Sequence, residues 1–182
     1  MKKLKLYIAS SLDGFIARED GDLKWLTEAP NPDNDDHGYA AFLETVDTVL
    51  MGNSTYKWVV AEGMPDPYPD MKNYVFTRGE ARTEGNINYI NDDPVEFTAK
   101  LKKGDGKDIF LVGGGELIKQ LLAAGLIDEM IIFFVPVFLG RGIRLFPETQ
   151  NPLTLNYKAE EIQLRSNGFL QLNVGLVYSV EF

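Results

Sequence analysis

The chain has 182 residues, 45% of them hydrophobic, which suits one full core in a single domain spanning 1–182. Its formal charge of −9, with no long run of lysine or arginine, argues against nucleic acid as a partner. The absence of cysteine excludes disulfides and thiolate chemistry, and a lone histidine, His37, excludes a multi-histidine metal site and argues against a Ser-His-Asp triad.

The N-terminal apolar segment is too short and too polar for a signal peptide. No run approaches the ~18 apolar residues of a membrane span, so a cytoplasmic chain without a membrane partner is expected. Leu4, Leu6 and Ile8 alternate with Lys3, Lys5 and Tyr7, predicting a first strand that ends at Leu12-Asp13-Gly14. Phe15 to Ala17 reads as a short extended piece, and Ala29 to Gly38, rich in proline, asparagine and aspartate, as loop. Tyr39, Phe42, Leu43 and Val46 share one face of a helix predicted from about Asp36 or His37 to Val46.

Thr48 to Met51 is a second strand, stopped by Gly52, and Asn53 or Ser54 can cap the helix that follows through Trp58 and Val59. Glu62 to Asp70, with three prolines, is loop. Asn73 to Phe76 is a third strand, closed by Thr77-Arg78-Gly79. Ile87 to Ile90 is a fourth, before a helix from Val95 to Leu101 that starts at Pro94. Ile109 to Val112 is a strand, and three glycines follow it at once. Leu117, Ile118, Leu121 and Leu122 then repeat at helical spacing up to an Ala124-Gly125 stop. Glu129 to Val137 is a buried strand ending near Pro136, and Gly140 to Arg144 an exposed loop after which Leu145 and Phe146 pack back. From Leu153 to Phe182, alternating residues flank Asn167-Gly168, a strong hairpin signal. The sum is α/β: a mixed, mostly parallel sheet flanked by helices, with a C-terminal antiparallel hairpin.

Three strands end alike, at Met51-Gly52-Asn53-Ser54-Thr55, Phe76-Thr77-Arg78-Gly79 and Val112-Gly113-Gly114-Gly115. Each offers backbone N–H groups or small hydroxyls where ligands collect in open α/β sheets. Side by side they could line an elongated ligand with two or more phosphates, as a dinucleotide has. The order of glycines is neither G-x-G-x-x-G nor a P-loop, and glycine here can also serve the turn alone. Arg78 is a candidate for an isolated phosphate, or an exposed loop cation. Asp13 reads as a turn aspartate before glycine or as an acid.

These segments resemble the dihydrofolate reductase-like superfamily. Within it they are most similar to the reductase domain of bifunctional riboflavin-biosynthesis enzymes and its stand-alone relatives. The resemblance rests on S-L-D-G-x-I-A (Ser11 to Ala17), M-G-x-x-T-Y (Met51 to Tyr56), F-T-R (Phe76 to Arg78) and V-G-G-G-E-L (Val112 to Leu117), in that order. It extends from Ile8 to the Val135–Phe146 segment. It implies a three-layer reductase fold and reduction of a small heterocycle by NADPH, as in 5-amino-6-(5-phosphoribosylamino)uracil reductase. Dihydrofolate reduction, or nucleotide binding without catalysis, are the other readings. Ala9 and Ile16 would flank the nicotinamide, and Gly52, Asn53, Ser54 and Thr55 would meet the pyrophosphate. Thr77 and Arg78 would hold the adenosine 2′-phosphate. Gly114, Gly115, Glu116 and Leu117 would close over the remaining phosphate. Asp13, Trp25 and Asp36 would face the substrate, with the proton from Asp13, Asp36 or water. Asn53, Tyr7 and Gly113 stand where the riboflavin enzymes usually carry arginine, lysine and glutamate. No metal is expected, and the apolar C-terminal third predicts a homodimer.

Overall fold

The computed structural model describes residues 1–149 and 152–178. The strands are β1 (Leu4–Ser11), β2 (Phe15–Ala17), β3 (Val46–Gly52), β4 (Lys72–Phe76), β5 (Arg82–Glu84), β6 (Ile87–Ile90), β7 (Asp108–Gly113), β8 (Glu129–Val135), β9 (Ile143–Arg144), β10 (Asn156–Leu164) and β11 (Leu170–Val177). The helices are α1 (Lys24–Thr27), α2 (Tyr39–Leu43), α3 (Asn53–Ala61), α4 (Pro94–Lys102) and α5 (Gly115–Ala123). Among the described residues, nine strands make one sheet in the order β10-β11-β8-β1-β7-β3-β4-β6-β5, and β2 pairs with β9 in a small second one. The central ladders from β8 through β6 are parallel, whereas β5, β11 and β10 run antiparallel to their neighbours.

Alternation along the strands builds a core on each face of the sheet. Leu4, Leu6, Ile109 and Leu111 point to one side, where Leu117, Ile118 and Leu121 of α5 cover them and Phe97 and Leu101 of α4 add to the layer. Val49, Met51, Val75 and Phe110 point to the other, against Phe42 of α2 and Tyr56 of α3. Three layers result. No helix among the described residues is long and apolar enough to cross a membrane.

Four local expectations change. The helix expected to reach Val46 stops at Leu43, because Val46 already pairs with Asp108 as the first residue of β3. Thr45 marks the break by donating its hydroxyl to the Phe42 carbonyl at 2.7 Å. Neither Asn53 nor Ser54 caps α3; extended Gly52 is the N-cap and makes no side-chain bond. The third change is β5, whose three residues are all exposed, so an edge strand formed without any alternating apolar signal. The last concerns the segment from Gly140 to Phe146: Ile143 and Arg144, expected as loop, pair with β2 as β9, and Phe146 stays 43% exposed while Leu145 alone packs inward. Residues 179–182, at the end of the expected hairpin, lie outside the described residues.

Candidate functional site

Strands β7, β3 and β4 are parallel neighbours, with Met51 opposite Gly113 and Gly52 opposite Phe76. Their carboxyl ends therefore share one edge, where Gly113–Leu117, Gly52–Thr55 and Thr77–Arg78 come together. Helices α3 and α5 both start there from a glycine N-cap, Gly52 and Gly114, without a side-chain cap. An uncapped helix start leaves amide donors and the positive end of the dipole facing outward. The two starts are close: a Cβ added to Gly114 would lie 3.3 Å from Thr55 Oγ1. The Gly113–Gly114 peptide bond is cis.

The glycines do different work. A Cβ on Gly115 would run into the Arg144 carbonyl, so that position is set by packing against the β9 segment. Leu117 is buried and its amide donates to the Gly114 carbonyl at 3.0 Å, so it closes the helix turn and is not a free donor. Glu116 is exposed in the first turn of α5. Thr77 Oγ1 accepts from the Gly79 amide at 3.1 Å and shapes the turn after β4. Arg78 is exposed there and makes no hydrogen bond or ion pair among the described residues.

A second feature lies beside this edge. The ladder between β1 and β7 runs only from Leu4↔Ile109 to Leu6↔Leu111, while β1 continues beside β8 to Ser11↔Val135. The pairing of the two strands ends at Leu6, near the carboxyl ends where open α/β sheets bind ligands. Ala9 lies on this free stretch of β1 and also lines a cavity of about 380 Å³. Ile16 packs elsewhere, into the cluster that contains Leu117 and Leu145.

Tyr7 and Ala9 of β1 and Phe133 of β8 form the cavity floor, which the 26–39 segment and the β10–β11 turn enclose. Arg165 ties those two walls together. Its guanidinium donates to Asp35 Oδ2 at 3.3 Å, to the His37 carbonyl at 3.3 Å and to Gln171 Oε1 at 2.8 Å. His37 sits between Phe133 and Phe169, at centroid distances of 5.6 and 5.1 Å. The Phe169 amide donates to Asn167 Oδ1, so Asn167 Nδ2 is the group that meets His37 Nε2 at 3.3 Å. His37 Nδ1 lies 3.2 Å from Asp35 Oδ2 without the alignment of a hydrogen bond. Tyr7 donates its hydroxyl to the His37 carbonyl at 3.0 Å. Burial, then the charge of Asp36, push the Tyr7 phenol well above its ordinary value, so it stays protonated.

The expected acids are placed differently. Asp36 lines the cavity, yet its carboxylate accepts from the Gly38 and Ala40 amides at 2.8 and 3.0 Å, starting α2. The Ala40 and then the Gly38 bond hold it below the usual carboxylate range, so it is ionised near neutrality and is no proton donor. Asp13 does not line the cavity. Its carboxylate takes Ser11 Oγ at 2.7 Å and the Leu139 and Gly140 amides at 3.1 and 2.7 Å. Burial works to raise its pKa, but the Ser11, Leu139 and Gly140 bonds together bring it below the ordinary value. Trp25 is buried with Phe133, Val135 and Phe169, behind the wall and not on it. Sequence reasoning missed His37, Arg165 and Asn167. The lone histidine was visible, but its partner Asn167 is 130 positions away.

Comparison with known proteins adds the family. The model of the RibD C-terminal domain matches residues 2–171. Over 158 residues, 86% of this chain and 90% of the other, the chain is 43% identical to the uncharacterized protein YwjB of Bacillus subtilis (strain 168). A solved structure of a Shewanella sp. PV-4 protein assigned to riboflavin biosynthesis superposes with a TM-score of 0.85 at 29% identity, covering 97% of this chain and 99% of that one. A Thermotoga maritima diaminohydroxyphosphoribosylaminopyrimidine deaminase/5-amino-6-(5-phosphoribosylamino)uracil reductase shares the fold, with a TM-score of 0.68 at 17% identity over 97% of this chain and 57% of its own. On the match across residues 2–171 and the 43% identical relative, the chain belongs to the RibD C-terminal domain family, with its reductase-like fold.

Proposed function

We propose that the chain is a cytoplasmic, NADPH-dependent reductase of a small heterocycle. The observation that carries this reading is the pair of uncapped helix starts at Gly52 and Gly114, beside exposed Arg78 on the next strand end. Such donors fit a pyrophosphate and a further phosphate on one extended ligand. The amides of Asn53, Ser54 and Thr55 and those of Gly115 and Glu116 would hold the pyrophosphate. Thr77 and Arg78 would hold the 2′-phosphate, and Ala9 would border the nicotinamide. When bound, NADPH supplies a hydride. The protein's share is to align two rings across Ala9 and exclude water between the clasped walls. With Asp13 and Asp36 both ionised, the proton comes from water. The uracil named for the Thermotoga maritima relative is the family-level guide to the substrate ring.

Calorimetric titration with NADPH tests the cofactor half, and NADPH oxidation with a panel of pyrimidines and pterins tests the chemistry. Binding without turnover on any ring would favour a nucleotide-binding protein, and no binding would reject the reading.

A further inference from the structure

We infer that the cavity selects a planar, N–H-bearing heterocycle that carries no phosphate, uncharged or cationic. This rests on the reading of the cavity as the substrate site. Tyr7, Tyr39, Phe133 and Phe169 offer ring faces that favour a flat ligand. The polar groups decide its charge. No lysine or arginine lines the wall, and the residues outside the described ones include none. The guanidinium tying the walls together, Arg165, is committed to Asp35, the His37 carbonyl and Gln171.

The remaining side-chain donors are neutral and partly engaged. Tyr7 donates to the His37 carbonyl, and Tyr39 shares its hydroxyl with Tyr68 at 2.9 Å. Asn31 exchanges both side-chain bonds with the Asp35 backbone, at 2.8 and 3.1 Å. Asn167 is held between Phe169 and His37. Thr27 keeps only a long 3.5 Å contact to the Leu23 carbonyl, so its hydroxyl has donor capacity left, as do the second Nδ2 hydrogens of Asn31 and Asn167, all of them uncharged. Acceptors are in surplus: each Asp36 oxygen takes one amide and has a lone pair to spare. A phosphate, which needs charge-assisted donors, would meet only neutral donors and the Asp36 carboxylate in an aromatic wall. An amino-substituted ring would present donors to the spare lone pairs of Asp36.

The test uses cytidine and cytidine 5′-monophosphate, which share one amino-bearing ring, titrated calorimetrically into the full chain with excess NADPH present. Cytidine should bind at least about tenfold more tightly than its phosphate, the scale of one charge-assisted bond gained or lost. Thr27→Lys, which puts a cation into the wall, should raise affinity for the monophosphate about tenfold and leave cytidine nearly unchanged. Equal or tighter binding of the monophosphate by the native chain, binding of neither, or no response to Thr27→Lys in a folded variant would each overturn the inference. NADPH affinity, titrated separately, keeps the two readings apart. A chain that prefers cytidine but binds no NADPH defeats the reductase proposal alone, and one that binds NADPH without the preference defeats this inference alone.

Discussion

Arg78 is exposed at the end of β4 and makes no hydrogen bond or ion pair among the described residues. If it grips the 2′-phosphate, Arg78→Ala weakens NADPH by about 1.5–3 kcal/mol and leaves NADH nearly untouched, as loss of a charge-assisted bond requires. Equal weakening of both cofactors in calorimetric titrations would reject the assignment. The two glycines at the start of α5 separate by a different measurement. Gly114 borders Thr55 at the open edge, whereas Gly115 abuts the Arg144 carbonyl. Gly114→Val should abolish cofactor binding with an unchanged circular dichroism spectrum. Gly115→Ala should instead lower thermal stability, by about 1–3 kcal/mol for overpacking against backbone. A Gly114→Val protein that still binds NADPH would show that this glycine serves the turn alone.

The turn after β1 works as an element clamp, with Asp13 holding the Leu139–Gly140 loop. Its folded pKa is depressed, so its contribution is fully present above the unfolded carboxylate value, near pH ~4, and is lost as pH falls through the folded one. Asp13→Asn should therefore cost stability at neutral pH, and the difference from the native chain should shrink toward zero in acid. It should also speed amide exchange at Leu139 and Gly140. A stability gap that persists unchanged at low pH would contradict the clamp. The other clasp, Arg165 to the 35–37 segment, is what gives the cavity two walls, and it joins elements with no sequence proximity.

At the scale of the whole molecule, the apolar excess of the C-terminal third divides into two parts. Phe133 is buried and Phe134 packs against the α5-side core, so the chain covers both faces of β8 itself. The hairpin is different. Ile162 is 65% exposed and Leu164 77%, on the edge strand β10, and Leu164 lies opposite the half-exposed Leu170. Exposed apolar side chains on an open sheet edge favour association. We expect a homodimer formed through this hairpin, read by light scattering behind size exclusion as about twice the 20.4 kDa chain mass. Ile162→Asp should shift it to monomer, and a monomer mass that persists as concentration rises would reject the dimer.

Local periodicity was enough to predict α3, α4, α5 and the strands β1, β3, β4, β6, β7 and β8, because each carries a buried face that repeats in sequence. Strand-end glycines and Arg78 were legible for the same reason: each follows directly on an apolar run that reads as a strand. Residue order could not say that β1 leaves β7 after Leu6, or that Asp13 and Asp36 would be taken up by backbone amides. Nor could it show that His37 and Asn167 meet across 130 positions. Those outcomes depend on which strands become neighbours and which loops then fall within hydrogen-bonding distance. Strand order arises from packing the whole sheet between its helices, so the glycine-rich strand ends were readable from the sequence and the cavity at Tyr7, Ala9 and Phe133 only from the fold.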